Sequence, residues 1–201
     1  MATVVVVVTA LDGLSVYARR TSERVFGANT FLLAQVASPG RVSRAELQEQ
    51  YRRNPPITRS ESRFLMRHAD GLVVYAPNAQ AFADVSSGSR TFDSGAVTGT
   101  TADLPEIRDL GLSTGRFFDA REEQAGAFVA VVGASIAETL YPGTDALGRD
   151  LRIAGRRFRI VGVQDRLGTA AGASLDRYVF IPIIAFERVF GAPRTLQIFG
   201  K

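Results

Sequence analysis

Phe128-Val-Ala-Val-Val132 is apolar for five residues, turns at Gly133, and passes at once into Ala134-Ser-Ile-Ala-Glu-Thr-Leu140. An unbroken apolar run of this length reads as a strand covered on both faces. The segment after it reads as a short helix, ended by Tyr141-Pro-Gly143, where proline and glycine cannot extend helical backbone. Downstream, residues 150–153 and 157–164 flank Ala154-Gly-Arg156 as a hairpin. Residues 178–181 then read as a strand, 183–190 as a helix and 195–199 as a last strand. Upstream, residues 72–83 and 90–99 form another hairpin about Ser86-Ser-Gly-Ser89, a small polar turn between β-rich runs. The expected fold class is therefore α+β: a mixed β-sheet with short helices, divided into two lobes.

The segment before these strands is more polar. Ser43 and Glu46 have the spacing of a capping box, in which each side chain bonds the other's backbone. They should open a helix at 44–53, closed by Asn54-Pro-Pro56. A second short helix is expected at 59–68, with Phe64 and Leu65 turned inward. Residues 29–36, rich in Phe and Leu, read as a strand, and residues 104–110 as a helical turn. Residues 167–174 read as a loop of small residues.

Two readings of the N-terminus stand side by side. Residues 3–11 are nearly all apolar, with five consecutive valines at Val4–Val8. That is far short of the roughly 20 residues that cross a bilayer, and no basic segment or cleavage site marks a signal peptide. The run is either the end of a transmembrane helix or, given its β-branched character, a buried first strand. After it, Leu11, Leu14, Val16, Ala18, Val25 and Phe26 make a helical stripe across residues 9–26, stopped by Gly27. A long N-terminal helix continuing a transmembrane span is the expectation this supports.

Composition excludes more than it assigns. The 201 residues are 46% hydrophobic and 22% charged, proportions that suit a packed domain rather than a disordered one. Cysteine is absent and His68 is the only histidine, so disulfides, thiolate metal sites and a cysteine nucleophile are ruled out. The net charge is +4, but every basic residue except Lys201 is arginine and they are scattered, which points to compositional bias. Arg152, Arg156, Arg157 and Arg159 gather at the second hairpin. Alternation puts Arg157 and Arg159 opposite Phe158 and Ile160, on a solvated face. An anion site there is the other reading, although no aromatic residues are interleaved for base stacking and nucleic acid is not expected as a partner.

The search for chemistry finds no catalytic, cofactor-binding or metal residue to assign. There is no phosphate-binding glycine loop. Gly133-Ala-Ser135-Ile-Ala137 falls one glycine short of a nucleophile elbow, and Ser135 reads instead as the N-cap of the following helix. Asp119, Glu122 and Glu123 share one helical turn, where acids answer the helix dipole. The protein is expected to be no enzyme and to need no cofactor.

The phrases Gly99-Thr100, Gly115-Arg-Phe-Phe118, Val129-Ala-Val-Val-Gly133, Leu147-Gly-Arg149, Ile160-Val-Gly-Val163 and Ile181-Pro182 occur in this order. With the N-terminal stripe they give the chain a resemblance to the MacB-like periplasmic core domain of FtsX-like ABC transporter permeases, from about residue 3 to residue 199. Residues 38–60 are more polar than that pattern, and the family continues beyond residue 199 through another helix and strand. The resemblance implies one extracytoplasmic domain (residues 1–201) excised from a longer protein of the bacterial inner membrane, its final strand lacking a neighbour. Within it lie a helix-and-strand stem (9–36), a β-rich lobe (70–118) and an α/β lobe (127–199). It further implies a non-catalytic part that transmits ATP-driven movement to a substrate or partner outside the membrane. The implied partners are a second permease subunit, identical or different, a cytoplasmic ATP-binding subunit reached through membrane helices, and an extracytoplasmic accessory protein met by loops in residues 76–94. The alternative is a free-standing soluble ligand-binding protein, or an atypical serine hydrolase centred on Ser135.

Overall fold

A computed structural model describes residues 29–36, 43–68, 71–108, 110–170 and 173–201. The expected helix at residues 9–26 and the valine run lie outside the described residues. The strands are β1 (Phe31–Leu33), β2 (Tyr75–Ser87), β3 (Arg90–Thr100), β4 (Leu112–Gly115), β5 (Val129–Val132), β6 (Asp150–Ile153), β7 (Arg156–Gln164), β8 (Thr169–Ala170), β9 (Ala173–Ser174), β10 (Tyr178–Pro182) and β11 (Gln197–Gly200). The helices are α1 (Arg44–Arg53), α2 (Arg59–His68), α3 (Leu104–Arg108), α4 (Ala120–Ala125), α5 (Ala134–Leu140) and α6 (Ile183–Phe190).

The fold is α+β, and its mixed sheet closes on itself. Strands run in the order β2-β3-β10-β5-β7, and β6 pairs with both β7 and β2, completing a six-stranded barrel. β10 lies parallel to β3, and β5 parallel to β7; the other barrel pairings are antiparallel. Two strands from residues 70–118 (β2 and β3) and four from residues 127–199 (β10, β5, β7 and β6) thus close one barrel, joined at the β3–β10 and β2–β6 pairings, so neither region buries its apolar faces without the other.

Closure gives the barrel strands two apolar faces. Val97, Ala130, Val132, Phe158, Ile160, Val179 and Ile181 form one core together with Ile136 and Leu140 of α5 and Ile183 and Phe186 of α6. Intervening residues Val131 and Phe180 belong to a second core with Ala76, Leu104, Ile107, Phe118 and Phe199. The run at residues 129–132 divides between the two, as a strand covered on both sides must.

The quoted phrases sit where backbones approach closely. Gly115 has φ +78°, and a Cβ there would lie 2.3 Å from the Val161 carbonyl oxygen. The next amide, Arg116 N–H, donates to that oxygen at 2.9 Å, and Phe118 drops into the second core. At Gly133 a Cβ would stand 2.3 Å from the Asp176 carbonyl oxygen. That contact is fixed, because the Asp176 carboxylate accepts from the Leu167 and Gly168 amides at 2.6 and 3.0 Å.

Several expectations change. Gly133, not Ser135, is the N-cap of α5, with no side-chain cap bond; the tight strand exit at Gly133 starts the helix two residues early and leaves Ser135 inside its first turn. Phe64 is 54% exposed and Leu65 half-buried. α2 instead presents Arg59, ion-paired with Glu187 of α6, and buried Ser62. The last strand has neighbours on both sides, β1 and β2. β4 was not legible as a strand, and the small-residue loop contains the two-stranded β8–β9 ribbon. The Ser43–Glu46 capping box and the ranges of α1, α2, α5 and α6 agree with the reading of the sequence.

Candidate functional site

The described chain enters and leaves at one end of the molecule. Phe31 of β1 lies opposite Gly200 of β11, and Gly200 lies opposite Tyr75 at the start of β2. Val74 and Lys201 exchange backbone hydrogen bonds at 3.0 and 3.1 Å, and the Phe31 ring meets Tyr75 edge-on at 6.0 Å. Beside this row Leu32, Leu33, Ile57, Phe64 and Leu65 line an apolar groove of about 430 Å³.

From there β2 runs for 13 residues, about 40 Å at the usual strand rise, to the Gly88-Ser89 turn. Along its course it pairs with β11, then β3, then β6. The far end is stiffened where the two hairpins meet: Val85 pairs with Ile153 and Ser86 with Arg152, and the Ser87 hydroxyl donates to the Asp150 carbonyl at 3.1 Å. A bulge after Ala83 turns the strand. Opposite it Ser94, at φ 52°, donates its amide to the Asp84 carboxylate at 3.0 Å. Arg177 lies over the Phe92 ring at 5.0 Å and bonds the Asp93 carbonyl. Phe82 projects outward, 71% exposed. Of the segment 76–94, residues 76–79 are buried, and the surface begins at Gln80.

Sequence-derived candidates for chemistry occupy structural positions. The Ser135 carbonyl accepts from the Thr139 hydroxyl at 2.8 Å, and a ring nitrogen of His68 lies 2.8 Å from the Phe64 carbonyl oxygen. Among the described residues there is no group of three or more His, Cys, Asp or Glu that could hold a metal ion. Asp119 caps α4 in a capping box with Glu122, whose carboxylate takes both terminal nitrogens of Arg116 at 2.7 and 2.8 Å.

Arg116 holds the Glu122 carboxyl below the ordinary range against a smaller upward effect of burial, and the Asp119 amide adds a lesser lowering. Burial instead pushes the neighbouring Glu123 up, opposed by a bond from the Ala102 amide. The signs differ accordingly. The stabilisation from Glu122 is complete above the unfolded value near 4.5 and is lost as pH falls through the depressed folded value. Glu123 favours folding when protonated, and that contribution is lost as pH rises through its raised folded value. Glu122→Gln should therefore lower the urea midpoint at pH 7 with the deficit shrinking in acid, while Glu123→Gln should raise it at pH 7. Shifts of the same sign for both variants would contradict this assignment.

The family model for the MacB-like periplasmic core domain matches residues 1–201. The chain belongs to this family. The macrolide export ATP-binding/permease protein MacB of Marinobacter nauticus is 33% identical over 104 residues, 51% of this chain and 16% of the relative. The pyoverdine export ATP-binding/permease protein PvdT of Pseudomonas aeruginosa is 32% identical over 97 residues, 47% of this chain and 15% of the relative. The chain thus corresponds to a minor part of these relatives' length. Among solved structures, the periplasmic region of MacB from Actinobacillus actinomycetemcomitans superposes with a TM-score of 0.69 at 18% identity, covering 89% of this chain and 77% of that one. The family's fold is therefore shared well beyond the reach of sequence identity.

Proposed function

We propose that this chain is the extracytoplasmic domain of an ABC-type permease subunit in the bacterial inner membrane, facing the periplasm or cell exterior. Its work is mechanical and non-catalytic: it carries movement driven by a cytoplasmic ATP-binding subunit to a substrate or partner outside the membrane. The observation that carries the reading is the row Phe31–Gly200–Tyr75. The first and last described strands, β1 and β11, lie beside the root of β2, so a displacement of membrane helices attached there would act directly on a strand that reaches the far end. Closure of the barrel makes the β-rich lobe (70–118) and the α/β lobe (127–199) move as one body, with residues 9–36 as the stem. The partners are a second permease subunit, identical or different, the ATP-binding subunit, and an accessory protein at the far end.

Relatives named for macrolide export and for pyoverdine export share this domain, which suits a part that moves rather than one that selects cargo. The test is the coding sequence on either side. Apolar spans of about 20 residues are expected before residue 4 and beyond residue 201, with an ATPase domain or gene alongside. A translation start at Met1 together with a stop after Lys201 would overturn the reading.

A further inference from the structure

The arginines of the second hairpin take no part in the proposed movement, and their placement is specific. Leu151, Ile153, Phe158 and Ile160 point into the barrel and are fully buried or nearly so, so Asp150, Arg152, Arg157 and Arg159 all stand on its outer face. Register then aligns Thr91, Ser86, Arg152 and Arg157 in one row across four strands. Arg159 lies in the next row, opposite Asp150.

Arg152 and Arg157 are directly opposed like charges, an arrangement that works against strand pairing. Asp150 is the one acid in these two rows, reaching Arg157 at 3.7 Å and Arg159 at 4.0 Å. Both arginine side chains remain 68% exposed, and no ion pair joins Arg152 to another described residue. The face thus carries two more positive than negative charges, flanked by two hydroxyls.

We infer that this face is a docking surface for an extended acidic segment of a partner protein. Arg157 and Arg159 are two residues apart on one strand, about 7 Å, which is the spacing of same-face side chains in any extended chain. A guanidinium binds a carboxylate through two parallel hydrogen bonds, so alternate Asp or Glu residues would meet successive arginines. Position argues against a lipid surface: the row includes Ser86, near the far end of β2 from the paired chain ends. That last step rests on the proposed attachment of those ends to the membrane, whereas the charge and spacing arguments do not.

The test uses the chain with a fluorescent (Glu-Ser)5 peptide, and (Lys-Ser)5 as control, read by anisotropy at low salt. Arg152→Gln/Arg157→Gln/Arg159→Gln should weaken binding of the acidic peptide about tenfold or more without lowering the melting temperature. Arg44→Gln/Arg67→Gln/Arg121→Gln removes the same charge from other exposed positions and should change binding less than about twofold. Arg157→Gln alone should give an intermediate loss and serves if the triple variant folds poorly. Equal loss in both triple variants would reduce the effect to net charge and overturn the proposal, as would no loss in either. Loss of binding to phosphatidylglycerol–phosphatidylcholine vesicles with peptide binding intact would assign the face to a lipid surface instead. Failure of any of these leaves the coding-sequence test of the transporter reading untouched.

Discussion

Phe158→Ala is expected to lower the unfolding free energy by about 3–5 kcal/mol, the usual loss for a fully buried phenylalanine. Phe158 is 0% exposed. It sits near the start of β7 opposite Leu151, with the Phe128 ring edge-on at 5.2 Å, and it belongs to the core that α5 and α6 close. Its removal leaves a cavity that the surrounding strands cannot fill, because each is paired on both sides within the closed ring. Against a typical total stability of about 5–15 kcal/mol, this takes a large share. Phe82→Ala makes the same chemical change on the outer face and should alter stability by no more than about 0.5 kcal/mol. Urea unfolding of the two variants beside the parent provides the measurement. Comparable losses would mean that the barrel interior is not the main core.

The side of Phe158 is legible locally, because Arg157 and Arg159 flank it and mark the opposite face as solvated. Phe82 lies between Ala81 and Ala83, which mark neither face. Its outward position follows from closure, which depends on β6 pairing with both β7 and β2. No local pattern encodes that. The run at residues 128–132 was informative because it is apolar on both faces, which needs no knowledge of a partner. The Ser43–Glu46 box was legible for the same reason: each bond lies within three residues.

Failures of reading also have physical causes. Leu112-Ser-Thr-Gly115 lacks apolar alternation and becomes strand through its pairing with β7, where Gly115 and Gly162 allow the backbones to meet. Ser135 has the chemistry of a helix cap, but the backbone at Gly133, packed on the Asp176 carbonyl, had already begun the turn. Phe64 was expected to turn inward, yet the Arg59–Glu187 pair and buried Ser62 fix α2 with that ring in the groove beside β1. The arginines were correctly placed on a solvated face. Their alignment with Ser86 and Thr91 was hidden, because it is a property of register between strands far apart in sequence.

The proposed movement carries the domain as a single strut between the paired strands β1 and β11 and the Gly88-Ser89 turn. The chain contains no cysteine, so Ser89→Cys and Lys201→Cys would be the only thiols within this domain available to carry spin labels. In the full-length permease, freed of any cysteines elsewhere, pulsed electron resonance should be recorded without nucleotide and with the ATPase trapped by vanadate. Labels at both positions in one subunit should give one narrow distance distribution near 40 Å, from the strand rise, unchanged between the two states. Labels at Ser89 alone should report a changed distance between the two permease subunits if both carry this domain. A distance within one domain that shifts or broadens on trapping, with the tips of the two subunits stationary, would contradict the claim.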